Sequence, residues 1–496
     1  MKLIYGVKDR PKAGQLILFA LQQLLAILAA TIAVPMIVGN GMSISAALFG
    51  AGAGTIVYLL FTKFKSPVFL GSSFAFIGSM TAAFAGGVSA ALGYLGLIIG
   101  AIFAGLVYVV IAIVIKLVGV KWIDKVMPAT VIGPTVAIIG LSLSTNAIAD
   151  LMSGEVLNAA GEMACSPYLA LLCGLVALGV TIACSVHGKK MLRMIPFIIG
   201  ILAGYAVAAV FTVIGIACDV DALKIIDFSL FSNIEWFPHF TFLEIFEGSL
   251  TPAEGGSIGQ YIGTIAVAYI PVAFVVFAEH LADHKNISSI IETDLLTDPG
   301  LSRTLLGDGV GSMVGAFFGG CPNTTYGESV GCVAISGNAS VSTTLLTALF
   351  AIAFSFIGVF TTFLATIPGC VMGGVCISLY GFIAVSGLKM VQQVDLNENA
   401  NLFTVSVILI AGVGGLTLNF GGITVTSIAC ALILGILTNL LVNIGKKRRL
   451  QKEAEGQGAA LEQSAAAEEQ DTAAEGQSAA ADAAVQAGQK GEGEEK

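Results

Sequence analysis

Two carboxylates stand in stretches of the chain that otherwise carry no charge. Glu279 closes the run 262–278 (IGTIAVAYIPVAFVVFA), and Glu328 lies in CPNTTYGESVGCVAIS, 321–336, without another charged residue. An ionisable group among apolar neighbours of spanning length is costly, and it marks a pathway for a substrate or a proton. Glu279 belongs to AEHLADH, 278–284, with His280, Asp283 and His284. On a helix, Glu279 and Asp283 are four apart, as are His280 and His284, so each pair shares a face. Glu279 and His284 are five apart and can still bracket a ligand or a polar chain. The cluster is not HExxH and has no cysteine near it, so a metal is not expected. His280 reads as a polar residue near the cytoplasmic end of its helix. Asp308, in LLGDGVGS, reads as a cap at the start of its helix.

The elements that must position these groups are membrane segments. The chain has 496 residues, of which 56% are hydrophobic and 11% charged. Its mean hydropathy is +0.91, far outside the range of soluble domains. Apolar stretches of spanning length recur from Ala13 to about residue 445, which implies an all-α polytopic membrane protein. We expect about fourteen segments, at 14–37, 43–62, 66–84, 90–118, 126–147, 166–187, 194–217, 262–284, 302–320, 321–337, 340–367, 369–388, 399–419 and 422–445. The first is a retained helix, since no cleavage site follows it. The cysteines fall mainly in apolar runs and read as small hydrophobes, with no disulfide or zinc spacing.

Lysine and arginine set the orientation. They lie before segment one (Lys2, Lys8, Arg10, Lys12) and after segments two, four, six, eight and fourteen (Lys63, Lys116, Lys189, Lys285, Lys446 and their neighbours). All of these fall on one side of a fourteen-segment chain, the cytoplasmic side, together with both termini. The acidic stretch 218–261 is then an extracellular loop. Residues 446–496 hold the basic anchor Lys446–Arg449 and an Ala/Glu/Gln/Gly tail with too little apolar content to fold, so a disordered cytoplasmic tail is expected.

MPATVIG at 127–133 is echoed by IPGCVMG at 367–373, with Pro128/Pro368, Val131/Val371 and Gly133/Gly373 offset by 240 residues. The polar elements GSSFAF (71–76) and PNTTYGES (322–329) are displaced similarly. An offset of seven segments is odd, so the halves, about 14–217 and 262–445, run with opposite topology. Inverted repeats with interrupted segments are the architecture of secondary transporters, whose site lies at the repeat interface. In segments three and ten, Gly, Ser, Thr and Pro disfavour continuous helix and leave backbone N–H and C=O groups for a ligand. Ser72, Ser73, Asn323, Thr324 and Thr325 add hydroxyls and an amide, while Phe74, Phe76 and Tyr326 offer ring faces.

The motifs GVKDRP (6–11), LQQLLAILAATIAVP (21–35), GSSFAF, AEHLADH, DLLTDPGL (294–301), PNTTYGESVGCVAIS and VMGGVCISLYG (371–381) resemble the nucleobase–ascorbate transporter (nucleobase–cation symporter) family, in its uracil-type bacterial members. The resemblance covers nearly all of 5–445. It implies fourteen segments in two inverted seven-segment repeats, short strands in segments three and ten, a core domain, and a gate of segments five to seven and twelve to fourteen. It implies substrate binding by Glu279, Glu328, Phe74, Gly327 and Tyr380, with proton coupling through Glu279, His284 and Glu328. Two positions depart from the family pattern: Ser329, where Asn is usual, and Gln23, where His often stands. The implied function is cation-coupled import of uracil across the plasma membrane, with protons as the coupling ion. No cofactor, metal, nucleic acid or enzymatic step is expected; membrane lipid is, and a homodimer is permitted. The rivals are a xanthine or purine symporter of the same family, an anion transporter of the same fold, and a membrane enzyme. Two acidic residues facing the substrate oppose the anion reading, and the chain offers no nucleophile or metal constellation for the enzyme.

Overall fold

The computed structural model describes residues 3–120, 122–156, 163–189, 191–252, 256–420 and 423–444. The helices that organise it are α1 (Ala13–Val38), α2 (Ile44–Phe61), α3 (Ile77–Ala83), α4 (Ala90–Val118), α5 (Ala129–Ser142), α6 (Pro167–His187) and α7 (Pro196–Cys218) in the first half. The second half holds α8 (Ile258–Ile291), α9 (Leu301–Gly319), α10 (Gly327–Ser336), α11 (Val341–Ser355), α12 (Gly369–Val391), α13 (Asn399–Val413) and α14 (Ser427–Ile444). Four strands of three residues complete it: β1 (Leu70–Ser72), β2 (Asn323–Thr325), β3 (Leu418–Phe420) and β4 (Ile423–Val425). Among the described residues nine helices are long and apolar enough to cross a membrane, or ten counting one bent pair. Met1–Ile436 is one compact unit, and the second unit, Leu437–Lys496, is described only for the last turns of α14. The tail expected at 446–496 lies outside the described residues.

Apolar length alone makes most of these helices; their ends are set by local chemistry. Ser257 and Gln260 form a reciprocal capping box that starts α8. Pro167 and Pro196 open α6 and α7, where a missing N–H costs nothing. Pro128 and Pro368, the repeated prolines, stand immediately before α5 and α12. The repeated glycines are also equivalent. A Cβ on Gly133 would sit 3.1 Å from the Gly387 carbonyl at the far end of α12. A Cβ on Gly373 would sit 2.8 Å from the Ala147 carbonyl beyond the far end of α5. The two helices therefore cross head to tail at backbone contact distance, the close approach that small residues permit in lipid.

The packing divides into two groups. α2 packs on α9 and α11, α4 on α8 and α9, and α1 on α11. Separately, α5 packs on α12 and α13, and α6 on α7 and α12. Moving every helix seven places along turns the α2–α11 contact into α9–α4, α1–α11 into α8–α4, and α6–α12 into α13–α5. These contacts thus map onto one another, and β1 pairs with β2 antiparallel across the same relation.

Three expected segments take another shape. The stretch 340–367 is not one span: α11 and Gly358–Ala365 meet at 85°. Segments thirteen and fourteen do not run as continuous helices, because β3 and β4 pair antiparallel between α13 and α14. The β-branched Ile423, Thr424 and Val425 favour extended backbone, a signal hidden within a stretch of spanning length.

Candidate functional site

β1 and β2 meet inside the bundle in the register Leu70–Thr325, Gly71–Thr324 and Ser72–Asn323. Neighbouring helices hold both strands. The Leu70 N–H donates to Thr55 Oγ1 on α2 at 2.9 Å, and Asn323 Nδ2 donates to the Gly50 carbonyl at 2.9 Å. The Tyr326 hydroxyl donates to the Ser72 carbonyl at 2.9 Å, tying one half to the other. Extended backbone deep in the bundle is tolerated because these groups satisfy it and because it borders a cavity. α10 starts at Gly327, directly after β2, so the first N–H groups of that helix have no intrahelical partner.

That cavity has a volume of about 220 Å³ and is walled by Glu279 and Asp283 from α8, Gly327 and Glu328 from α10, Phe74, and Tyr326. Ser185, Arg193, Asn286 and Ser386 line it as well. Four of the expected site residues therefore meet: Glu279, Glu328, Phe74 and Gly327. Glu328 sits in the first turn of α10, where the helix dipole favours negative charge.

The others are placed differently. Tyr380 does not line the cavity; it stands behind Phe74, ring centroids 5.5 Å apart and nearly perpendicular. His284 points away from it, with Nδ1 donating to the His280 carbonyl at 2.8 Å and Nε2 2.7 Å from the Tyr58 hydroxyl. Phe76 is stacked on Tyr269 and fully buried, so of the three expected rings only Phe74 and Tyr326 border the cavity. Asp283 takes the cavity position on α8 beside Glu279, and Thr325 Oγ1 donates to its Oδ2 at 2.8 Å. Its four-residue spacing from Glu279 was the signal; the five-residue spacing to His284 turns that ring onto another face.

Two readings of single residues need correction. Asp308 is not a helix cap, since it lies within α9 and pairs with His280 at 2.7 Å. His280 is not at a solvated helix end: α8 continues to Ile291 and buries it completely. The two departures from the family pattern touch each other. Gln23 Nε2 donates to Ser329 Oγ at 3.1 Å, and the same oxygen accepts the Phe69 N–H at 3.1 Å. This bond links α1, the strand β1 and the helix that carries Glu328.

The model of the permease family matches residues 14–420. The chain belongs to that family. The permease is 39% identical over 445 residues to the "Uracil permease" of Bacillus caldolyticus, covering 89% of this chain and 95% of the relative. It is 36% identical to the "Uracil permease" of Bacillus subtilis (90% and 97% covered), and 34% to that of Escherichia coli K12 (88% and 94%). Among solved structures it resembles the transmembrane domain of the cyanobacterial bicarbonate transporter BicA, with TM-score 0.57, 18% identity, and 88% and 99% coverage. It also resembles the murine anion transporter Slc26a9, with TM-score 0.56, 13% identity, and 88% and 69% coverage. These structural likenesses establish a shared fold. The permease is a multi-pass membrane transporter of the nucleobase–ascorbate family and not an enzyme.

Proposed function

We propose that the permease imports uracil by proton symport and alternating access. The observation that carries this reading is the convergence of Glu279, Asp283 and Glu328 on one cavity beside β1, β2 and the start of α10. Uracil presents two N–H donors and two carbonyl acceptors on a flat ring. Carboxylates accept from the N–H groups, the unpartnered N–H groups of the first turn of α10 donate to a carbonyl, and the Phe74 ring supplies a stacking face. Three carboxylates on one wall oppose an anionic substrate, although the solved neighbours with this fold carry anions. The names of the relatives support uracil over xanthine.

In this reading the chain has fourteen segments in two inverted repeats, about 14–217 and 262–445. A core of α1–α4 and α8–α11 moves against a gate that includes α5–α7, α12 and α13. The antiparallel crossing of α5 and α12 and the self-mapping contacts support the inversion. Arg193, Asn286 and Ser386 lie next to the basic ends of their helices, so by the positive-inside rule the cavity runs toward the cytoplasm, as in a state that releases substrate inward. Tyr380 then acts by backing Phe74 rather than by touching the base.

Uptake of labelled uracil by membrane-inserted protein tests this. Uracil uptake should resist excess xanthine, rise at acidic external pH and collapse with a protonophore. Effective competition by xanthine would replace uracil as the substrate, and sodium-driven uptake indifferent to protonophore would remove proton coupling.

A further inference from the structure

One polar cluster in the bundle lies outside the cavity. His280 Nδ1 is 2.7 Å from Asp308 Oδ2, its Nε2 is 3.0 Å from Thr304 Oγ1, and both charged side chains are fully buried. The partners decide where the hydrogens sit. The Thr304 hydroxyl donates to the Leu301 carbonyl at 3.0 Å, so its oxygen is left to accept, and His280 Nε2 must carry a hydrogen. At Nδ1, two arrangements then satisfy the short contact. Either an imidazolium donates to the Asp308 carboxylate, or a protonated Asp308 donates to a neutral ring. In both, the pair holds one dissociable proton and has no net charge.

Removing that proton leaves a buried carboxylate facing a bare ring nitrogen, while Asp308 Oδ1 already has no partner among the described residues. An uncompensated charge there is strongly unfavourable. Relief requires the ring to shift its hydrogen from Nε2 to Nδ1 and Thr304 to turn its hydroxyl away from Leu301. Loss of the proton is therefore tied to a rearrangement between α8 and α9. His280 is adjacent in sequence to Glu279, so α8 presents the cavity carboxylate on one face and this pair on the next. The titratable groups around the pair are Glu279, Asp283 and His284 on α8, Tyr58 on α2 and Tyr108 on α4. The His284 ring stacks on His280 at 3.9 Å, and the Tyr108 ring lies 6.3 Å from it.

We propose that His280 and Asp308 form the proton-binding site of the transport cycle, separate from the nucleobase cavity. One proton is taken up on the pair from one side of the membrane and released from it to the other in each cycle; only N–H and O–H bonds are made and broken. The proposal rests on the proton-symport reading, and its test separates the two. Asp308→Asn keeps the shape and can donate an amide hydrogen to Nδ1, but it has no proton to release. In proteoliposomes carrying the full chain, a pH difference of one unit supports about ten-fold uracil accumulation per coupled proton. The D308N protein should bind uracil within about two-fold of the unmodified protein and still exchange internal for external uracil, yet accumulate it only about one-fold under the same gradient.

Thr304→Ala gives an independent reading if D308N fails to insert. Without the hydroxyl, Nε2 no longer needs its hydrogen, the pair releases its proton more readily, and the pH profile of accumulation should move to lower pH. A merely structural role would leave that profile in place. Proton-coupled unmodified protein alongside a D308N protein that still accumulates uracil, or a T304A profile that does not move, overturns this site. Unmodified protein that accumulates uracil without regard to the pH gradient overturns the coupling reading itself and the site with it.

Discussion

Thr325 is the residue through which β2 grips the cavity wall. Its hydroxyl donates to Asp283 Oδ2 at 2.8 Å, and Asp283 is 8% exposed, so water does not readily replace the bond. Thr325→Val removes the donor and nearly preserves the volume. A hydrogen bond to a buried side-chain acceptor is worth about 0.5–1.5 kcal/mol, and leaving that acceptor unpaired costs about 1–3 kcal/mol. Asp283 is then free to turn into the cavity beside Glu279, and a base must reorder it on binding. If about 1.4 kcal/mol of that loss appears in binding, uracil affinity falls about ten-fold. Thr325→Ser keeps the hydroxyl and should stay within about two-fold of the unmodified protein. Calorimetric or scintillation-proximity titration of purified protein with labelled uracil reads both. Equal affinities for the Val and Ser variants would refute the claim that this bond sets the geometry of the cavity wall.

Glu328→Ala should abolish uracil binding at normal membrane insertion, and Glu328→Gln should shift competition toward purines; near-normal binding by the alanine variant removes Glu328 from the site. In the loop 219–257, burial lowers the tendency of His239 to protonate, but Glu235 at 2.6 Å and Glu244 at 3.2 Å outweigh it, so its pKa lies above the usual 6.5. The folded state gains from this contact below the unfolded pKa and loses the gain as pH rises through the folded one. His239→Asn should flatten the fall in thermal midpoint across that window, measured by thiol-reactive dye uptake at the buried cysteines. Truncation after residue 450 should leave uracil uptake per inserted molecule unchanged, because the site residues all lie before it and the basic anchor Lys446–Arg449 is retained.

Hydropathy was enough to recognise a polytopic membrane protein, because lipid forces every spanning segment to advertise itself in composition. The helix interruptions that hold β1 and β2 were legible for the same reason, since small polar residues break an otherwise apolar pattern; the strands themselves were implied only by the family resemblance. Glu279 and Glu328 were legible because charge is so costly there. Which neighbour joins Glu279 was not. Asp283 and His284 differ by one position in sequence and about 100° around the helix, and only the packing of α8 against α2, β2 and α9 turns one toward the cavity and the other toward Tyr58. Asp308 looked like a cap because sequence does not show that His280 approaches it from another helix. Partner choice across helices depends on rotation and depth, and a one-dimensional pattern carries neither; the tertiary structure decided both.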